Sequence, residues 1–502
     1  MKELLCATLD GLDARVVHVE ATFTKGLPAF TVVGLGSTAI QESKERVKAA
    51  LLTNGFSFPP LKITVNLSPS DIQKNGSHFD LSIALVIALQ NEAIDTGDLF
   101  IFGELGLDGT VKHTRTIFPL LLSLKNRGLV RKAMVPKAAL EELSLIPGIA
   151  YIGVETLSEA IAVLKKEKEP DTVAPAPIPG EKVESGGVTY YYMADYPEDF
   201  ADVKGQEVAK RAALIAAAGF HNLLLEGSPG CGKSMIAKRI RHILPPMRLE
   251  EILQVNQYAL LGGEEPAFEP RRPFRSPHHS ASKPSIFGGG TNQAKIGEVA
   301  LAHLGELFFD EFPHFQKSVL EALREPLQDH RVLISRVNAK VAYETRFLFV
   351  AAQNPCPCGN LLSTLHPCRC SDLEIKRYKQ RLSDPLLDRI DLYVQMQESA
   401  PDDQPSVDSA SMHAQVIAAY LRQVERGQHR PNGKLEEREV EAYCQLDPEA
   451  EGVLLKAVHR FGLSHRSVAN VKKVARTVAD LEGADTIGKS HLLEALSYRR
   501  RG

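Results

Sequence analysis

A multidomain α/β fold ending in an all-helical region is predicted by three observations. Strand-like runs alternate with helices over the first ~165 residues. A glycine-rich loop joins an apolar strand to a helix near the middle of the chain. From about residue 410 onward, apolar positions recur at helical spacing with short Gly or Pro breaks. Composition places the boundaries at 1–165 for an N-terminal α/β domain, 166–195 for a linker, 196–399 for a second α/β core and 400–502 for a helical C-terminal domain. A chain of 502 residues is too long for one core and agrees with about three domains.

Composition excludes several classes. With 44% hydrophobic and 24% charged residues the chain reads as globular. No apolar run approaches the ~20 residues that cross a bilayer. Met1-Lys-Glu-Leu-Leu-Cys-Ala lacks the basic start and apolar stretch of a secretory signal. The expectation is a cytoplasmic protein with no membrane partner. A net charge of −3 gives no global attraction to nucleic acid, so any polyanion must be held by local patches.

In the N-terminal domain, Val16 to Ala21, Phe30 to Gly34 and Lys62 to Asn66 read as strands from their β-branched and aromatic enrichment. Ile40 to Leu52 reads as a helix closed by Asn54-Gly55, and Asp80 to Leu89 as a buried helix. Between Lys165 and Asp195, charge, proline and glycine without periodicity predict a linker. Tyr190-Tyr-Tyr192 has no role in that reading.

In the second core, Gly227, Ser228, Pro229, Gly230, Cys231, Gly232, Lys233 and Ser234 satisfy GxxxxGK[ST] at every fixed position, after Asn222-Leu-Leu-Leu-Glu226 and before Met235 to Ile240. Glycines let backbone N–H groups converge on phosphate oxygens, and the helix start adds its partial positive charge there. Lys233 would reach the β and γ phosphates and Ser234 would ligate magnesium. Gly305 to Glu311 is an apolar strand ending in two carboxylates. Asp310 would hold magnesium through water, and Glu311 would orient or deprotonate the attacking water. ATP and magnesium are the cofactors implied.

Three further stretches carry chemistry. Pro270 to Lys295 contains no acid and offers Arg271, Arg272, Arg275 and Lys283 in a Gly-rich setting suited to a phosphate backbone. His278 and His279 there read as loop-organising, because no third metal ligand is spaced with them. Arg331 to Tyr343 alternates as a hairpin with Asn338-Ala339 at its tip and Arg336 and Lys340 beside it. Cys356, Cys358, Cys368 and Cys370 form two CxC pairs, which suit a structural zinc. Free thiols or a redox pair remain alternatives. Four thiolates would leave no open position for catalysis at such a metal.

The order Gly34-Leu-Gly36, Asn66-Leu-Ser-Pro-Ser70, Lys74-Asn-Gly-Ser-His-Phe-Asp-Leu81 and Gly103-Glu-Leu-Gly-Leu-Asp-Gly109 resembles the Lon-protease-type front domain of the Mg-chelatase-like competence proteins, the ComM/YifB family. Aligned this way, the serine of a Ser-Lys dyad falls on or beside His78 and the lysine on Phe118. A phenylalanine is no base, so the resemblance implies a non-proteolytic relative, with Ser77 the one hydroxyl in place. Asp199 to Gln206 would then lie near the adenine. Arg346 to Asn354 resembles the AAA+ strand whose terminal Asn354 senses the γ-phosphate. Arg381 to Leu392 resembles the segment carrying the arginine finger, here Arg389. The acid-free stretch and the hairpin match the positions of a helix-2 insert and a pre-sensor hairpin. Ser464 to Leu481 resembles a second-sensor helix in which Arg466 binds the γ-phosphate and ties lid position to nucleotide.

The resemblance covers essentially the whole chain. It implies a Lon-protease-like (ribosomal S5 domain 2-like) front, a P-loop AAA+ core of the Mg-chelatase type and an all-α lid. The implied activity is that of a hexameric ATP-driven DNA motor, with helicase and branch-migration activity that promotes integration of incoming DNA by homologous recombination in natural transformation. Two other classes share parts of this pattern. One is a protein remodeller or magnesium-chelatase-like motor; the other is a Lon-type ATP-dependent protease, against which Phe118 argues.

Overall fold

The computed structural model describes residues 3–56, 58, 60–92, 96–169, 176–289, 295–335, 340–398, 404 and 406–500. Two units result, one formed by Met1–Pro177 with Ala259–Pro266 and the other by Ile178–Tyr258 with Ala267–Gly502.

The first unit is built on a seven-stranded mixed sheet. In spatial order its strands are Ala29–Val33, Lys62–Ser68, Asp13–Thr24, Glu3–Asp10, Leu99–Ile101, Lys132–Pro136 and Ala150–Val154. Asp13–Thr24 pairs antiparallel with both its neighbours, and its apolar residues alternate into the core. Helix Asp80–Ala88 is buried along almost its whole length. Its first residue, Asp80, is fully buried and takes a 2.6 Å bond from Arg46 Nε. Burial holds the Asp80 carboxyl above its usual range although Arg46 and Ser43 pull it down.

Phe118 is fully buried, as a core residue should be. His78 is also buried, with Nε2 2.9 Å from the Ala7 carbonyl, and burial pushes its imidazole down to about 4. The Ser77 hydroxyl donates to Glu104. Among the described residues no lysine or histidine hydrogen bonds to Ser77, so no Ser-Lys dyad is assembled.

The second unit holds a five-stranded parallel sheet in the order Phe274–Arg275, Glu306–Phe309, Leu348–Gln353, Leu223–Glu226 and Leu392–Gln395. Its central strands are continuous apolar runs because both faces are covered. The C-terminal helices Ser409–Glu425, Glu437–Tyr443, Pro448–Phe461, His465–Leu481 and Lys489–Ser497 share one hydrophobic core with the sheet and with helix Glu207–Gly219.

Three expectations change. The 166–195 stretch contains a hairpin, Glu181–Ser185 with Val188–Tyr192, whose second strand pairs with Met247–Arg248. Its tyrosines have a packing role: Tyr190 lies edge-on to Tyr420 at 5.9 Å, and Tyr192 edge-on to His413 at 5.3 Å. The acid-free stretch is not a plain loop, since Phe274–Arg275 joins the sheet edge and Lys283–Phe287 is a helix. Arg476 is fully buried and bonds Asp480 and the carbonyls of Asp485 and Ala484. The expected hairpin forms between Arg331–Ser335 and Lys340–Glu344, with Ser335 opposite Lys340, while its tip, with Arg336, lies outside the described residues. Among the described residues no helix is long and apolar enough to cross a membrane.

Glu306, the first residue of its strand, is fully buried with neither carboxylate oxygen hydrogen-bonded. Burial pushes its carboxyl well above the usual range. A carboxyl that keeps its proton in the fold lowers stability as the pH rises past its unfolded value near 4.5. Glu306→Leu should therefore raise the unfolding free energy at pH 8, measured by chemical denaturation, by about 1–3 kcal/mol. Near pH 5 the gain should be smaller; an equal or larger gain there would contradict the buried-carboxyl account.

Candidate nucleotide site

Strand Leu223–Glu226 runs straight into Gly227, and helix Lys233–Ile240 starts at the lysine of the motif. Gly230 and Gly232 take φ of +83° and +92°, a region that strains any side chain. The Lys233 ammonium lies inside the curl of the loop, donating to the carbonyls of Gly227 at 2.7 Å and Ser228 at 2.9 Å. Ser234 Oγ donates to Asp310 Oδ2 at 2.6 Å. A hydroxyl and a carboxylate side by side are the hard oxygen donors that magnesium takes, so this pair fits the ion.

Asp310 follows strand Glu306–Phe309 directly, and Glu311 comes next with φ +51°, left-handed for a residue with a side chain. Such strained backbone gathers at functional sites. The Glu311 carboxylate lies between two imidazoles, 3.4 Å from His279 Nε2 and 3.6 Å from His314 Nδ1. Asn354 follows strand Leu348–Gln353, which lies between the strands that lead to the phosphate loop and to Asp310. All three segments thus leave the sheet at the carboxyl ends of parallel strands, where open α/β sheets bind ligands. Beneath the loop, the buried Glu226 takes hydrogen bonds from Gln353 Nε2 at 2.8 Å and from the Tyr393 hydroxyl.

Arg389 and Arg466 stand elsewhere. Arg389 donates to the carbonyls of Arg324 at 3.2 Å and Pro385, and to Gln328 Oε1. Arg466 Nη1 donates to the same Gln328 oxygen at 3.4 Å. Burial, with the like charges of Arg466 and Arg324, pulls the Arg389 pKa down. Both arginines line a cavity of about 420 Å³ together with Asn222, Lys434 and Lys473. Asn222 immediately precedes strand Leu223–Glu226, whereas the phosphate loop immediately follows it. The arginine pair therefore lies at the opposite end of that strand from the loop of its own chain. Arg466 is accordingly not placed to read its own chain's γ-phosphate.

The basic residues divide. Arg272 is not a DNA contact: it is buried, its guanidinium donating to the carbonyls of Pro245 and Leu304 at 2.7 Å and Pro246 at 2.9 Å, with its carbon 5.2 Å from the Phe220 ring centroid. Arg271 pairs with Asp195 at 2.8 Å near the surface. Arg275 lies 3.8 Å from Glu298, and Lys283 is exposed at the first turn of its helix. Lys340 opens the second strand of the hairpin.

The four cysteine sulfurs converge within 4.8 Å of one another. Cys356 lies 3.4 Å from Cys358 and 3.7 Å from Cys368, and Cys358 lies 3.6 Å from Cys368. A disulfide would need about 2.0 Å. A tetrahedron of thiolates at 2.3 Å from zinc has edges of about 3.8 Å, so the cluster is compatible with that ion.

Residues 199–404 match the family described as magnesium chelatase, subunit ChlI; residues 19–139 match subunit ChlI of Mg-chelatase, and residues 406–499 match the ChlI C-terminal region. The chain is 38% identical over 499 residues to the competence protein ComM of Haemophilus influenzae, covering 97% of this chain and 95% of the relative. It is 36% identical over 499 residues to the YifB protein of Escherichia coli, with the same coverage. A Mycobacterium tuberculosis relative is 36% identical over 509 residues, covering 98% of this chain and 97% of its own length. The chain belongs to the Mg-chelatase-like ComM/YifB family. Membership in this AAA+ family points to ATPase activity and implies ATP and magnesium.

Within this family fold, several site residues escaped the motif reading. His314 and Glu226 sit beside recognised motifs and were visible as the polar neighbours of Glu311 and Gly227. Gln328 is far in sequence from both arginines it joins, so no spacing could reveal it. The two adjacent arginines of the acid-free stretch should separate sharply in stability. Arg272→Ala leaves three buried carbonyls unpaired and should cost about 3 kcal/mol or more in chemical denaturation. Arg271→Ala should cost under about 1 kcal/mol; similar losses for the two would refute the placement of Arg272.

Proposed function

We propose that this chain is an ATP-driven, ring-forming DNA motor that hydrolyses ATP between neighbouring protomers. The observation that carries the reading is the position of Arg389 and Arg466 at the strand end opposite the chain's own phosphate loop. Two arginines that reach no phosphate in their own chain suit a nucleotide held by the next protomer, where they would neutralise charge developing in the transition state. Closing that arrangement with one kind of contact requires a ring, and the reading adopts six protomers.

Within one chain, Gly227 to Ser234 hold the phosphates and Lys233 turns from its loop carbonyls to them. Ser234 and Asp310 would hold magnesium, which would supply positive charge to the phosphates. Glu311 orients and deprotonates the attacking water, and Asn354 contacts the γ-phosphate. His279 belongs to the acid-free stretch yet lies against Glu311, which supports a coupling between a polyanion on that stretch and turnover. Arg271, Arg275, Lys283, Arg336 and Lys340 are the proposed DNA contacts, and the four cysteines the proposed zinc ligands. The relative named a competence protein supports a role with incoming DNA, as helicase and branch-migration motor in recombination. The front domain is read as Lon-like and non-proteolytic. The match to magnesium chelatase subunits favours a second reading, a motor that acts on a protein partner.

Steady-state ATPase rates with and without single-stranded and duplex DNA, beside casein degradation, separate these readings. DNA stimulation without peptide release is expected; a rate indifferent to DNA would favour the protein-directed motor. Lys233→Ala should abolish turnover. Arg389→Ala and Arg466→Ala should each lower it by about 10³-fold while nucleotide binding persists. Mixing Arg389→Ala with Lys233→Ala should restore part of the activity, and no recovery would count against action between protomers.

A further inference from the structure

We propose that the cysteine knuckle, closed around one divalent metal ion of the zinc class, braces both the phosphate loop and Glu311, so that ATP turnover depends on that metal. The proposal rests on the ATPase reading above and adds to it a structural element with no nucleotide contact of its own.

The chain leaves the sheet after Gln353, passes Asn354 and enters the knuckle at Cys356. It returns through Cys368 and Cys370 into Ser371, whose side chain caps helix Asp372–Lys379 in a capping box with Glu374. A metal bound by all four sulfurs would therefore join the exit and the return of one excursion. Glu398 holds its tip through Ser363 at 2.5 Å and Thr364 at 3.1 Å, so the base of the excursion is left to the metal.

Both ends of the knuckle touch the nucleotide site. Gly359 takes φ +82°, and a Cβ built there would come within 2.5 Å of Pro229 Cδ. Backbone thus lies directly against the crown of the phosphate loop. The Gly359 N–H donates to the Cys356 carbonyl at 3.0 Å, which fixes this contact to the first CxC pair. On the return side, the Asn354 backbone lies close enough to the Tyr378 hydroxyl to favour its ionised form. Its ring stands edge-on to His314 with centroids 6.1 Å apart, and His314 Nδ1 lies 3.6 Å from Glu311 Oε2. Metal, helix, Tyr378, His314 and Glu311 form one packed line. Gly359 and Tyr378 are positioning residues in this scheme: neither touches the substrate, and each holds a group that does.

The test measures metal content, nucleotide affinity and turnover on the full chain. Purified protein should hold close to one zinc per chain by elemental analysis. Stripping it with a mercurial and chelator should weaken binding of a fluorescent ADP and lower kcat, each by about tenfold or more. Zinc added back after removal of the mercurial should restore both. Cys368→Ser should reproduce the stripped protein. Tyr378→Phe should retain full zinc and near-normal ADP affinity while kcat falls, whereas Gly359→Ala should retain zinc and lose affinity. A chain that binds no zinc, or one whose affinity and kcat are unchanged by its removal, overturns the proposal. Failure of the ATPase reading looks different: the zinc-loaded wild type would itself show no turnover, with Lys233→Ala binding ADP equally well.

Discussion

A parallel strand has two chemically different ends, and the nucleotide unit is organised by that polarity. All neighbouring strands of the five-stranded sheet run the same way. Gly227, Asp310 and Asn354 consequently leave from one edge, whatever the sequence distance between them. Asn222 and Asp391, which open two adjacent strands, mark the other edge. Because the three central strands are apolar between their end residues, their polar side chains gather at the two edges. One edge gathers phosphate-binding groups and carboxylates. The other gathers Arg389, Arg466, Lys434 and Lys473. The function proposed above takes the two edges as complementary halves of a site shared between protomers.

Legibility in the sequence followed the range of the interaction. The phosphate loop, Asp310 and Glu311 were readable because each lies at the end of a short apolar run, and the structure brings Ser234 and Asp310 to 2.6 Å. The C-terminal helices were readable from periodicity to within a few residues. Tyr190 to Tyr192 were not, because their partners Tyr420 and His413 are more than two hundred residues away. A hairpin that is short and rich in charge carries no periodic signal, and glycine and proline around it read as linker. The strands Leu99–Ile101 and Lys132–Pro136 were likewise unspecified, since parallel pairing leaves no local turn signal.

Charge was the least reliable guide. Arg272 and Arg476 sit in basic stretches that suggest exposed surface, yet both are among the buried residues. Each donates to several acceptors there, backbone carbonyls for both and the Asp480 carboxylate as well for Arg476, as a guanidinium with five donors in a fixed fork can. Net charge counts these arginines with the exposed ones, although they are consumed by the fold. The positive surface open to a polyanion is correspondingly smaller than composition suggests.

The keeper of the arginine pair is an amide. Among the described residues, Arg389 and Arg466 meet no carboxylate in a hydrogen bond; both share the carbonyl oxygen of Gln328. A glutamate in that place would grip the two cations by charge and compete with any arriving anion. A neutral acceptor orients both without neutralising either, while the Arg324 and Pro385 carbonyls add a second hold on Arg389 alone. Held this way, the pair keeps both positive charges unneutralised, as the proposed contact with a phosphate would need.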